Sequence, residues 1–133
     1  MLKRLSLRNQ NGQTMAEFAI IVPVLLLVVF AILQFGILFH NYLTLTDAVR
    51  AGVRQGAVSR HLASGQEAAV EDRVRDSAVN LEQAELDVDV ETPGGWIQGE
   101  DVTVKATYPY EIDLLGLVVA KGDLTSTATE RIE

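Results

Sequence analysis

The 133-residue chain contains no cysteine. That excludes a disulfide framework, a thiol nucleophile and a cysteine-ligated metal site. It leaves an extracytoplasmic address open, because exported proteins also fold without disulfides. Histidine is scarce: His40 and His61 stand alone, neither with partners at metal-ligand spacing. There is no nucleophile elbow and no phosphate loop. The sequence therefore predicts no catalytic residue, no resident metal and no cofactor. Positive charge is also in short supply. Eleven Lys and Arg against 18 Asp and Glu leave a formal charge of −7, a poor basis for binding nucleic acid. Charge of either sign is missing altogether from residues 18–39, and that gap organises the rest of the chain.

Those 22 residues contain one strongly polar side chain, Gln34. As a helix they span ~33 Å, close to the ~30 Å of a bilayer's hydrocarbon core. A secretory signal has a shorter apolar stretch and ends in a small-x-small cleavage site, whereas this run continues into Phe39-His40-Asn41-Tyr42-Leu43. A retained membrane helix is expected. Lys3, Arg4 and Arg8 precede it with no acid before Glu17, while Arg50, Arg54 and Arg60 lie well beyond it with Asp47 among them. The unopposed basic tail predicts a cytoplasmic N-terminus and an extracytoplasmic C-terminus. Pro23 lies inside the run, so the Ala19 carbonyl loses its helical donor.

The junction Gly12-Gln13-Thr14-Met15-Ala16-Glu17-Phe18 has a glycine, four residues, a glutamate and then an unbroken apolar run, behind a basic leader. It resembles the processing site of type IV prepilins and pseudopilins. Continued through Ala19-Ile20-Ile21-Val22-Pro23, with Pro six residues after Glu, it looks like the opening of TadE-like proteins. These are minor pseudopilins of tight-adherence (Tad/Flp) pilus systems. Asp47-Ala48-Val49-Arg50-Ala51-Gly52-Val53-Arg54-Gln55-Gly56-Ala57 is similar to the small-residue and arginine stretch that follows the membrane helix in that family.

The resemblance implies cleavage by a prepilin peptidase between Gly12 and Gln13. Glu17 then becomes fifth in the mature chain, loss of three basic residues takes the formal charge from −7 to −10, and Phe18 sets the chain apart from major pilins. It also implies other pseudopilins and pilus-assembly proteins as partners, the bacterial inner membrane as location, and incorporation into a pilus as an option. Physically, Glu17 at the start of a membrane helix costs energy unless paired. The new amine would lie four residues away, ~6 Å along the axis. Pairing within or between chains would fix axial register. The rival reading is an interfacial carboxylate favoured by the helix dipole.

Helical periodicity continues past the membrane. Leu45, Ala48, Val49, Gly52, Val53 and Gly56 form one stripe. Within it Ala48, Gly52 and Gly56 make a small-xxx-small ladder that lets another backbone approach. The chain's own sheet and another subunit satisfy the ladder equally well. One helix is expected over residues 13–58, after a leader of residues 1–12 and before an extracytoplasmic domain of residues 59–133. In that domain Ser64 and Glu67 read as a capping box for a helix to about Leu81, with Val70, Val74, Ala78 and Leu81 inward.

The period then becomes two. Leu86, Val88 and Val90 alternate with Asp87, Asp89 and Glu91. After a turn at Thr92-Pro93-Gly94-Gly95, Val102 to Tyr108 forms a second strand that Pro109 should end. Residues 112–119 are apolar and ambiguous, with a short helix under the sheet as one option. A third strand starts at Gly122. The class is α+β, a long transmembrane helix followed by a helix and a three-stranded antiparallel sheet. Asp87, Asp89 and Glu91 read as a solvated face, with Ca²⁺ binding as the sharper alternative. Trp96 and Ile97 are either a partner-contacting tip or part of the core. The competing function is an uncleaved single-pass anchor presenting a binding domain outside the membrane.

Overall fold

A computed structural model describes residues 10–114 and 116–133. The basic residues Lys3, Arg4 and Arg8 lie outside the described residues. Helix α1 runs over Gln10–Val58, 49 residues or ~74 Å. A single 3₁₀ turn, Ser59–His61, leads to α2 at Gln66–Ser77. Three strands follow, β1 at Asp87–Glu91, β2 at Asp101–Leu114 and β3 at Leu117–Arg131. They form one antiparallel sheet in the order β1-β2-β3. The class is α+β, as the pattern of periods predicts.

The core lies between the second half of α1, α2 and the inner face of the sheet. Leu45, Ala48, Val49 and Val53 of α1 meet Val70 and Val74 of α2 and Val102, Val104 and Ala106 of β2. A 3.6-residue period on the helices and a period of two on the strand bring these side chains to one place. Ile132 closes the far end. Its amide donates to the Glu100 carbonyl at 2.8 Å, and the Glu133 amide donates to the Ala57 carbonyl at 3.0 Å, which ties the last residues to the end of α1.

Four local expectations need correction. First, α1 begins at Gln10, not Gln13. Second, the capping box does not form. Gly65 precedes α2 with φ +80, and no side chain caps it. A left-handed residue suits glycine, and it displaces Ser64 from the capping position. The Gln66 side chain instead donates to the Leu62 carbonyl at 2.6 Å. Third, α2 ends at Ser77, although Ala78 and Leu81 are buried as the periodicity requires. Gln83 accounts for the early stop: its side-chain amide reaches the carbonyls of Arg75, Ala78 and Leu81 at 3.3, 3.2 and 3.4 Å, serving groups that a continuing helix would have used.

The fourth correction is the largest. Pro109 does not end β2, and the described residues of 112–119 include no helix. β2 continues through Pro109 to Leu114, and β3 starts at Leu117. β1 pairs only with Thr103–Thr107 of β2, so beyond Thr107 one side of β2 is free. A strand edge tolerates proline, whose missing amide goes unused there. The result is a two-stranded arm that outruns β1 by seven residues on β2, ~24 Å.

Candidate functional site

The helix start carries the residues singled out for processing and register. Gly12 and Gln13 lie in the first turn of α1, where the leading amides have no intrahelical acceptors. A Cβ on Gly12 would meet nothing within 4 Å. The Gln13 side-chain amide donates to Glu17 Oε1 at 3.0 Å, one helical turn on. Gln13 and Glu17 therefore share a face, and Glu17's carboxylate already has a donor in the unprocessed chain. Phe18, beside it, is 66% exposed. Pro23 sits in an uninterrupted helical assignment, and its ring leaves the Ala19 carbonyl without an amide donor.

From there α1 presents apolar side chains on every side, with large residues from Phe18 to Phe39 exposed. A helix that is hydrophobic all round and uncovered by protein needs an apolar solvent. The span satisfies the length and composition of a membrane crossing, so the helix anchors the chain in a membrane. Gln34 interrupts it. Gln34 Nε2 donates to the Asp113 carbonyl on the β2–β3 arm at 2.9 Å.

Above the span, Ala48, Gly52 and Gly56 face inward. A Cβ on Gly52 would collide with the Val74 Cγ2 methyl, and one on Gly56 would lie 3.0 Å from Val102 Cγ2. The close neighbours of the ladder are thus α2 and β2 of the same chain. Trp96 packs against the core, whereas Ile97 is 63% exposed. Asp87, Asp89 and Glu91 are exposed along β1, and among the described residues no group of three His, Asp or Glu is placed to hold a metal ion. His40 Nε2 lies 3.4 Å from the Asn80 amide, and His61 Nδ1 lies 2.7 Å from the Val58 carbonyl, which accepts its proton.

Sequence reading missed two residues here. Arg75 donates to the carbonyls of Gln83 and Leu86 at 3.1 and 3.2 Å. With Gln83 it holds the connection from α2 to β1. Gln34's attachment to the arm was also unforeseen. A lone amide in a charge-free run was the available signal, and it named the donor but not the acceptor.

The comparison with known families falls on this part of the chain. Residues 12–54 match the family described as TadE-like protein. The chain is TadE-like over this segment. The match opens on Gly12, takes in Glu17, Phe18, Pro23 and the whole apolar span, and ends in the stretch that packs on α2. The match covers the membrane-anchoring helix, and it makes that part of the chain similar to a pilus-associated family. No curated protein and no solved structure matches the chain.

Proposed function

We propose that the chain is a minor pseudopilin of Tad/Flp pilus biogenesis, made as a precursor and cut by a prepilin peptidase after Gly12. In this reading it lies in the bacterial inner membrane with its N-terminus cytoplasmic and residues 59–133 outside, contributes no catalysis, and acts by assembling with other pseudopilins and pilus-assembly proteins. The observation that carries the reading is the TadE-like match beginning at Gly12, the residue just before the Gln13–Glu17 hydrogen bond. Glycine lowers helix stability by about 1 kcal/mol against alanine, and the first turn lacks half of its backbone bonds. Opening the helix around the scissile bond is therefore inexpensive.

Cleavage would place an ammonium group on Gln13, the residue already bonded to Glu17. Within one chain the pair neutralises the carboxylate at the membrane edge. Between chains it sets how far one apolar helix slides along another. The uncleaved anchor predicts the same fold and a permanent residues 1–12. Mass spectrometry of the chain co-expressed with its cognate peptidase separates the two. The expected product begins at Gln13, and Gly12→Leu blocks its formation by placing bulk at the scissile bond. An intact N-terminus in the presence of active peptidase would rule the pseudopilin reading out.

A further inference from the structure

The end of the β2–β3 arm combines two properties that do not belong together in water. Leu117, Val118 and Val119 are exposed by 72, 52 and 57%, and no part of the described chain covers them. The arm is also fixed at a definite height on α1. Gln34 bonds the Asp113 carbonyl, and Tyr110 and Ile112 share a cleft with Gln34, Ile37 and Leu38 of the helix. Gly122 allows the Tyr110 ring to lie flat across β3, since a Cβ there would sit 3.1 Å from the ring. Gln34 is five residues before the end of the charge-free run, ~7.5 Å inside it along the axis. At that height α1 itself is bare: Leu33 and Phe35 are 57 and 65% exposed.

We propose that the arm's tip, Leu114 with Leu117–Val119, inserts into the headgroup and upper acyl region of the bilayer beside α1, so that the domain rests on the membrane. The tip continues the apolar surface of the anchoring helix, and the lipid that solvates Leu33 and Phe35 reaches it at the same level. The arm's charges set the depth. Glu111 pairs in register with Lys121, and Asp123 lies opposite Pro109, all on the domain side of the tip. Asp113 Oδ1 accepts the Gly116 amide at 2.7 Å. A carboxylate at this position holds the tip at the boundary and out of the hydrocarbon centre, within the ~5–10 Å reached by interfacial segments. The arm carries three acids against Lys121, so apolar insertion and not attraction to anionic lipid drives the contact. The inference rests on α1 as a membrane anchor and is independent of peptidase processing.

The absence of cysteine makes the test direct. Leu117→Cys and Val118→Cys, with Thr127→Cys on the exposed face of β3 as reference, are each labelled with an environment-sensitive dye in the full-length chain in phosphatidylcholine vesicles. Emission at the two tip positions should be blue-shifted and quenched at least about twofold more by shallow nitroxide lipids than at position 127, with deep nitroxides less effective, as an interfacial depth requires. Adding Leu117→Asp to the Val118→Cys variant should abolish that quenching while Trp96 emission, reporting the core, stays unchanged. Equal quenching at all three positions would overturn the proposal. So would a blue shift without lipid quenching accompanied by tip-to-tip crosslinks, since a second copy and not lipid would then cover the tip.

Discussion

Replacing Gly52 by alanine sets two physical effects against each other with opposite signs. Taken alone, a glycine in a helix interior costs about 1 kcal/mol relative to alanine, so Gly52→Ala should stabilise α1. The packing says otherwise. The new methyl would run into Val74 Cγ2, with the Val70 carbonyl 3.5 Å and Val74 Cβ 3.6 Å away. Val74 is fully buried, and a β-branched side chain in a helix has one strongly favoured rotamer, so the methyl cannot rotate aside cheaply. Overpacking of this kind costs about 1–3 kcal/mol. Set against the helix gain, the expected result is a net loss of up to about 2 kcal/mol, a fall in Tm of at most roughly 8–16 °C for a domain of this size. Trp96, the single tryptophan and packed against the core, reports the transition in detergent-solubilised protein. Val74→Ala should relieve the collision, making the double variant more stable than the sum of the single changes by about 1 kcal/mol or more. Gly36→Ala, where a Cβ meets nothing within 4 Å, is the control without a collision. If Gly52→Ala raised Tm like the control and showed no coupling to Val74, the close approach of α1 and α2 would be refuted.

Two further outcomes bear on the proposed function. Glu17→Ala should leave membrane insertion and leader cleavage largely intact but reduce crosslinking to other pilus components, because a desolvated pair broken on one side costs ~3–5 kcal/mol; normal crosslinking and piliation would reduce Glu17 to an interfacial carboxylate. A periplasmically active reporter fused after Glu133 should be active, and activity from a cytoplasmic reporter alone would reverse the proposed topology.

The shared face of Gln13 and Glu17 was legible because its information is local. Glycine, glutamate and the onset of apolar residues follow one another within a few positions, and helical spacing alone puts Gln13 and Glu17 on one face. The stripe from Leu45 to Gly56 was legible only as a stripe. Periodicity says which side of a helix must be covered, not what covers it, so the chain's own sheet and another subunit were indistinguishable until Val74 of α2 and Val102 of β2 were seen above the two glycines. Arg75 was opaque for a related reason. Its acceptors are backbone carbonyls at Gln83 and Leu86, which every residue possesses and no sequence pattern marks.

The arm was misread through a rule that is sound in water. An apolar stretch next to a proline, with charges at both ends, is ordinarily buried, which left a short helix under the sheet as one option for residues 112–119. The rule presumes that an apolar side chain lacking a protein partner faces water. Beside an anchoring helix that presumption fails, because lipid is an alternative solvent and leaves exposed Leu and Val at no disadvantage. Pro109 was misjudged in the same way, as an element's end when it is only a mark of an edge. Strand β1 is five residues long and β2 fourteen, so most of the arm has one neighbour and proline removes no bond that the sheet requires. Gln34 brings these points together. A single amide within a charge-free run would be costly in lipid unless satisfied, and its donor is met by the Asp113 carbonyl at the place where β2 shifts register after Ile112. The polar residue inside the apolar run and the apolar residues at the end of the polar domain are thus answers to one requirement: at that height both must suit a boundary between lipid and water.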